Sequence, residues 1–197
     1  MIDWVLLADW ITAIAAVGTL VVAGFALNTW RTQARESVVQ EAVSAAWTLR
    51  YAFYGARSPL IEAWEFPEAY WQVARNGVRS NIEEANGFSH VYQNRLKEMW
   101  PSVKAVADMR AKCGAMFGDA AADACEKLAI AARHLKFYMD EDVEIKRAGD
   151  AARQWADQDH VREIRGNVLK TKGSDDKLST DFETAFKALL DHLTPHQ

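Results

Sequence analysis

The segment Trp10–Trp30 contains 21 consecutive residues without a formal charge, and it restricts the fold more than any other part of the sequence. A helix that spans the hydrocarbon core of a membrane needs about 20 predominantly apolar residues. Trp4 and Trp10 near one end and Trp30 at the other are typical of side chains at the interface between lipid and water. We therefore expect residues 1–30 to form a transmembrane anchor that contacts the lipid bilayer through Trp10–Trp30. The alternative is a helix buried inside a soluble protein.

The charges on either side of this segment predict its direction. Asp3 and Asp9 precede it without any Lys or Arg, whereas Arg31 and Arg35 follow it. Because positive residues accumulate on the cytosolic side of membrane proteins, we expect an outside N-terminus and a cytosolic domain, residues 31–197, at a bacterial inner membrane. The acidic start and the length of the apolar stretch argue against a cleaved secretory signal. Asp9 is expected in water at the outer edge rather than in a pore or proton relay.

Small residues recur along the apolar segment at every fourth position. Ala15, Thr19 and Ala23 form such a row. This spacing occurs where two transmembrane helices pack closely, and also in helices that face only lipid. The row therefore predicts either self-association of two copies or a helix that contacts only lipid.

The sequence after the anchor predicts a series of helices. An amphipathic pattern continues to Gly55 and ends at Ser58–Pro59, because proline lacks a backbone N–H and restricts the residue before it. It either continues the span as one rod or forms a separate helix. Further helices are predicted at 59–65, at 67–76, from a cap at Ser89 toward Met116, from a cap at Asp119 through Met139, and from a cap at Ser179 or Thr180 to Pro195.

The remaining segments are predicted to be less regular. Asn76–Gly77 and Asn86–Gly87 favour turns or helix ends, and residues 140–159 favour an exposed helix or connection around Gly149. No alternation typical of strands and no internal repeat is present. Half of the residues are hydrophobic, which suffices for one core. The predicted fold class is all-α, with the transmembrane helix continuing into a helical-bundle domain.

Cys113 and Cys125 are the two cysteines of the chain, and they flank Gly114 and Gly118. This placement predicts neighbouring thiols on two helices joined by a turn. In the cytosol we expect reduced, buried thiols rather than a redox or metal site. In an oxidising compartment a disulfide is expected instead, so the pair also reports the compartment.

No catalytic, cofactor-binding or metal-binding residues are predicted. His192 and His196 have the spacing of a zinc helix, but Pro195 interrupts them, and Asp157 with His160 lacks the further ligands of a di-iron site. We expect the four acidic residues Asp140, Glu141, Asp142 and Glu144 to form a solvated face. Ser174 is expected to lack the setting of a nucleophile.

Charge argues against nucleic acid as a partner. Residues 31–197 carry all 23 Lys and Arg and 25 of the 27 Asp and Glu, which gives a net charge of −2. Nucleic-acid binding usually needs a basic field. The densest basic cluster, expected as a solvated face or as a site for anionic lipid or a phosphorylated ligand, contains Arg162, Arg165, Lys170 and Lys172. Most tryptophans of the domain are expected in the core, with an exposed one suited to anchor a partner. They are Trp47, Trp64, Trp71, Trp100 and Trp155.

Three stretches carry a resemblance to a family. They are Thr29–Gln33 after the span, Trp47–Arg50, and the closing Phe182–Pro195 helix. In this order they resemble a loose group of uncharacterised bacterial proteins with one N-terminal span. The resemblance implies an anchored helical domain and no activity.

The expected function follows from an anchor without a catalytic constellation. We expect a single-pass interaction, sensor or effector module that binds a protein partner or itself. One alternative is a membrane-tethered enzyme, which would show a polar cluster lining a pocket. The other is an envelope-spanning structural protein with the opposite topology and an oxidised cysteine pair.

Overall fold

A computed structural model describes residues 4–77, 79–155, 158–170 and 176–194. Within these ranges the chain is helical and contains no strand, which confirms the all-α class. The described helices are α1 (Trp4–Ala56), a 3-10 turn (Ala63–Glu65), α2 (Glu68–Asn76), α3 (Asn81–Phe117), α4 (Asp119–Trp155), α5 (Gln158–Val168) and α6 (Lys177–Leu193). The chain divides into two units, Met1–Gln40 and Glu41–Gln197.

The first unit contains the N-terminal part of α1. One segment of this helix is long and apolar enough to span a membrane, by length and composition, and none of it is buried. Every described side chain between Trp10 and Trp30 is exposed. The hydroxyl of Thr19 donates a hydrogen bond to a carbonyl one turn earlier, at 2.8 Å, and Thr29 does the same at 2.9 Å. These polar groups are thus satisfied inside the helix.

The core of the second unit is built around α3 and α4. Gly118, with a φ of 87°, ends α3, and its N–H donates to the Gly114 carbonyl at 3.0 Å. A Cβ on Gly114 would lie 3.3 Å from the Cβ of Ala122, so the two antiparallel helices approach closely beside the turn. Helix α6 packs on α4. The predicted apolar face of α4 is confirmed, since the residues from Cys125 to Met139 at its helical spacing are buried.

Helix α3 begins earlier than expected. Its N-cap is Ser80, whose hydroxyl accepts a hydrogen bond from the backbone of Glu83 while the Glu83 carboxylate accepts one from the Ser80 backbone. The predicted cap Ser89 lies inside the helix, and so does Asn86–Gly87, which was expected to form a turn. A capping box outweighs a single Asn-Gly pair because it satisfies two unpaired backbone donors.

Packing against Tyr70 explains why position 87 is a glycine. A Cβ there would lie 2.3 Å from Cδ2 of Tyr70, whose ring stacks on Phe66 at 4.2 Å. The missing side chain lets α2 and the preceding turn contact α3. Gly87 is therefore a contact point inside a helix rather than a helix end.

Helix α4 continues through most of the segment that was expected to be exposed. Asp142, Val143 and Ile145 are buried. The helical path is interrupted at Gly149, which has a φ of 61° and a ψ of −140°. The expectation of a solvated acidic face is therefore wrong for Asp142.

Helix α6 is capped by Asp176, whose carboxylate accepts a hydrogen bond from the backbone of Ser179 at 2.7 Å. The predicted caps, Ser179 and Thr180, lie in its first turn. Its predicted apolar face is confirmed, with Phe182 and Phe186 buried beside leucines. The predicted stop at Pro195 lies outside the described residues.

The guanidinium of Arg95 holds the chain that follows α1. It donates to both carboxylate oxygens of Glu65, at 2.6 and 2.9 Å. Its remaining donors reach the carbonyls of Ala56, Ser58 and Leu60 at 3.3, 2.7 and 2.8 Å. The hydrogen bond from Arg95 lowers the pKa of Glu65, although burial opposes this. The chain around Ser58–Pro59, where the end of α1 was predicted, is therefore held in place by this side chain of α3.

The tryptophans do not form the core. None of the four described tryptophan side chains of the second unit is buried, and Trp64 is 81% exposed. The prediction that most are in the core is wrong for Trp47, Trp64, Trp71 and Trp100, and Trp155 lies outside the described side chains.

Candidate functional site

Aromatic rings join the C-terminal part of α1 to α6. Phe53 and Phe182 are buried and stack in parallel, with centroids 4.1 Å apart. One turn after Phe182 on α6, the ring of Phe186 lies edge to face with Trp47 of α1, with centroids 5.0 Å apart. This packing fixes the two helices, and polar side chains beside it face the same seam.

The first polar group of this seam is a buried ion pair. Arg57 is fully buried, and its guanidinium lies 2.9 Å from Oδ1 of Asp176. It also donates to the Ser179 hydroxyl at 2.6 Å and to the Gly166 carbonyl at 3.1 Å, while its Nε is unpartnered. Burial opposes the ionisation of Asp176, but the bonds from Ser179 and Arg57 outweigh it and lower its pKa. Arg57 thus connects α1, α5 and α6.

The second polar group contains Arg50, Tyr54 and Glu183. Nε of Arg50 lies 2.9 Å from Oε1 of Glu183, and the Tyr54 hydroxyl donates to the same oxygen at 2.6 Å. Burial, together with this bond to a carboxylate, raises the pKa of Tyr54 to about 12. Tyr54 is therefore a neutral donor, and the charge of Glu183 is compensated by Arg50.

These groups border a cleft of about 400 Å³. Nζ of Lys170 lies over the Tyr54 ring, 4.3 Å from its centroid, and the Lys170 backbone N–H donates to the Arg57 carbonyl at 3.0 Å. The cleft is lined by Tyr54, Lys170, Ser179, Thr180, Glu183, Thr184 and Lys187. A polar cluster that lines a pocket is the feature expected above of the alternative function, a membrane-tethered enzyme.

A second buried cluster lies between α3 and α4. The Tyr92 hydroxyl donates to Oδ2 of Asp142 at 2.7 Å, and Nζ of Lys146 lies 2.8 Å from the same oxygen. Oδ1 of Asp142 has no hydrogen-bond partner, and Nε of Arg165 is 3.9 Å away. Burial, followed by the charge of Asp142, raises the pKa of Tyr92. This cluster joins α3, α4 and α5.

Cys113 and Cys125 are both buried and not bonded to each other. The predicted proximity is confirmed, because each thiol influences the ionisation of the other. Their interaction lowers the pKa of Cys113, despite burial, and raises the pKa of Cys125. The pair lies between α3 and α4, near the turn at Gly118 that joins them.

The remaining sequence candidates do not assemble into a site. The described residues contain no group of three His, Cys, Asp or Glu side chains suited to hold a metal ion. His160 lies 3.9 Å from Glu141. Predictions that fall outside the described residues concern Asp3, Asp157, Lys172, Ser174 and His196, as well as the side chain of Asp9.

The structure divides the predicted basic cluster. Arg162 pairs with Asp159 at 2.8 Å, and Arg165 points toward Asp142. Lys170 lies apart from both, at the cleft. The sequence therefore identified one cleft residue, Lys170, among solvated neighbours.

Sequence reasoning missed Glu183, which lines the cleft, and Arg50 and Arg57, which lie beside it. Arg50 and Arg57 are seven positions apart on the face of α1 that also carries Phe53, and Glu183 is beside Phe182. Charged residues on the apolar face of an amphipathic helix were the available signal, because a buried charge needs a partner. No family model, curated protein or solved structure matches this chain, so its function is inferred from its own residues.

Proposed function

We propose that the chain is a single-pass membrane protein whose helical domain acts as an interaction or sensor module. The observation that carries the proposal is the uncharged segment Trp10–Trp30 of α1, whose described side chains are all exposed. An exposed apolar helix of this length is costly in water and stable in lipid. The internal hydrogen bonds of Thr19 and Thr29 support lipid contact, since hydrocarbon offers no partner for a hydroxyl.

The direction of insertion is part of the proposal. Arg31 and Arg35 after the segment, against Asp3 and Asp9 before it, support an outside N-terminus and a cytosolic domain at a bacterial inner membrane. The domain then contacts cytosolic proteins or small molecules.

Exposed apolar side chains on the second unit support binding to a protein partner or to a second copy. Trp64 is 81% exposed and Leu60, close by in the chain, is 66% exposed. Tryptophan dominates binding energy at many protein interfaces. Trp64 is therefore the residue of first interest on this surface.

Membrane insertion is tested by fractionation. The full chain should stay with the membrane after an alkaline carbonate wash. Arginine at Leu20 and Val21 should release it or abolish its accumulation, because each mid-membrane Arg costs about 2.5–3.5 kcal/mol. Arginine at Gln33 and Gln40, two exposed positions of the same helix, is the matched control and should leave the chain in the membrane. A wild-type chain released by the wash would refute the anchor.

The interaction is tested by a photo-crosslinking amino acid at position 64. We expect an adduct with a second copy or with one other protein, and no adduct from position 104 on α3, whose lysine side chain is 76% exposed. Equal adducts from both positions, or none, would contradict a specific surface at Trp64.

A further inference from the structure

The described lining of the cleft beside Tyr54 carries two lysines, Lys170 and Lys187, and one carboxylate, Glu183. Glu183 is the acidic residue among the described cleft residues, and Arg50 pairs with it at 2.9 Å. Lys170 and Lys187 have no ion pair with a described residue. Among the described residues, two lysines therefore line the cleft without an ion-pair partner.

Two carboxylates near the cleft are already paired with other cations. Asp176, next to the cleft, is paired with the buried Arg57. Asp181, on the first turns of α6, is paired with Lys177 at 2.6 Å. Within the described residues, Lys170, whose Nζ lies over the Tyr54 ring, and Lys187 are thus not part of the ion pairs that hold α1 to α6.

The lining also offers hydroxyl groups. Thr180 and Thr184 are exposed at the cleft. The Thr180 hydroxyl donates its proton to the Asp176 carbonyl at 3.1 Å, so among the described residues Thr184 is the threonine whose hydroxyl can donate to a phosphate oxygen. Lysine ammonium and hydroxyl groups are common partners of phosphate oxygens. A phosphate monoester carries a charge of about −1.5 to −2 at neutral pH, which matches two ammonium groups.

We propose that this cleft binds a phosphate group through Lys170 and Lys187. The group belongs either to a small soluble ligand or to a lipid headgroup. Because the Lys170 backbone N–H is bonded to the carbonyl of Arg57, the ligand binds beside the joint between the end of α1 and α6. The proposal does not depend on the topology or on a protein partner.

The test uses the full chain in zwitterionic detergent at low salt, titrated calorimetrically with inorganic pyrophosphate. We expect saturable one-to-one binding. Lys170→Gln and Lys187→Gln should each weaken it at least fivefold, and each should flatten its salt dependence. Lys177→Gln, on the same helix but at a lysine paired with Asp181, is the matched control and should change affinity less than twofold.

Three results would overturn the proposal. They are no saturation with the wild type, equal weakening by all three variants, and unchanged affinity in the Lys170 and Lys187 variants. Circular dichroism and the thermal transition of each variant verify that the fold is retained, which is expected because none of these lysines is buried.

A second arm distinguishes the two sources of phosphate. The chain is placed in nanodiscs of phosphatidylcholine, with or without phosphatidylglycerol, and the pyrophosphate titration is repeated. If the occupant is a lipid headgroup, the wild type should bind pyrophosphate more weakly in the anionic discs than in the phosphatidylcholine discs. This difference between the discs should be absent in Lys170→Gln. Equal binding in both discs identifies a soluble ligand.

Discussion

The guanidinium of Arg57 lies 2.9 Å from Oδ1 of Asp176, and both residues are buried. This ion pair joins the residue after α1 to the N-cap of α6. Since the carboxylate also accepts two hydrogen bonds from Ser179, its charge is compensated on several sides. Together with the contacts of Arg50 and Tyr54 to Glu183, it connects the C-terminal end of α1 to α6.

Replacing one partner should be strongly destabilising. Arg57→Met leaves the Asp176 carboxylate buried without a cation, and such a loss costs about 3–5 kcal/mol. The double variant Arg57→Met, Asp176→Asn should lose less than the sum of the single variants, because the two residues interact directly. Chemical unfolding of the full chain in detergent measures these values. Additive losses in the double variant would contradict the pairing.

The same contact predicts a pH dependence. The pKa of Asp176 is lower in the folded chain than its ordinary value of 3.8. Its contribution to stability is therefore fully present above that value and is lost as the pH falls through the lower, folded pKa. The unfolding free energy should decline below about pH 4 and decline less in Asp176→Asn. The difference between the two pH profiles isolates this group, and superimposed profiles would contradict the assignment.

Arg95 should not be replaceable by lysine. All five donors of its guanidinium are used, on Glu65 and on three backbone carbonyls after α1. Lysine offers a compact charge that cannot reach the same set. Arg95→Lys should cost about 1.5–3 kcal/mol, the range for a hydrogen bond to a charged group. Limited proteolysis should then cut first between Ala56 and Glu65. An unchanged cleavage pattern would count against this role.

Two glycines in helices should respond oppositely to alanine. At Gly87 a new Cβ would lie 2.3 Å from Tyr70, whereas at Gly55 nothing lies within 4 Å. Gly87→Ala should destabilise by about 1–3 kcal/mol through overpacking. Gly55→Ala should stabilise by about 0.4–1 kcal/mol through the unfolded state. Thermal unfolding compares the two, and stabilisation by both would show that the Tyr70 ring moves aside without cost.

The sequence predicted the buried faces of single helices better than the contacts between residues of different helices. Helical periodicity identified the buried faces of α4 and α6, because it reflects which side of each helix meets the core. It did not reveal that Asp142 is buried, since its partner Tyr92 belongs to another helix and only the packing of α3 on α4 brings them together. Arg57 and Asp176 were missed for the same reason. The cleft depends on such contacts between residues distant in sequence, and so only Lys170 was singled out.

The buried cysteines make a clean topology experiment possible. Cys113 and Cys125 are the two cysteines of the chain and are buried, so the native wild type should not react with an impermeant maleimide in intact or permeabilised cells. Lys104→Cys places a thiol at a position whose side chain is 76% exposed. It should react only after permeabilisation if the domain is cytosolic. After quenching and denaturation, Cys113 and Cys125 should then both react without a reducing agent. Reaction of Lys104→Cys in intact cells, with the native pair reactive only after reduction, would reverse the topology and favour an envelope-spanning structural role.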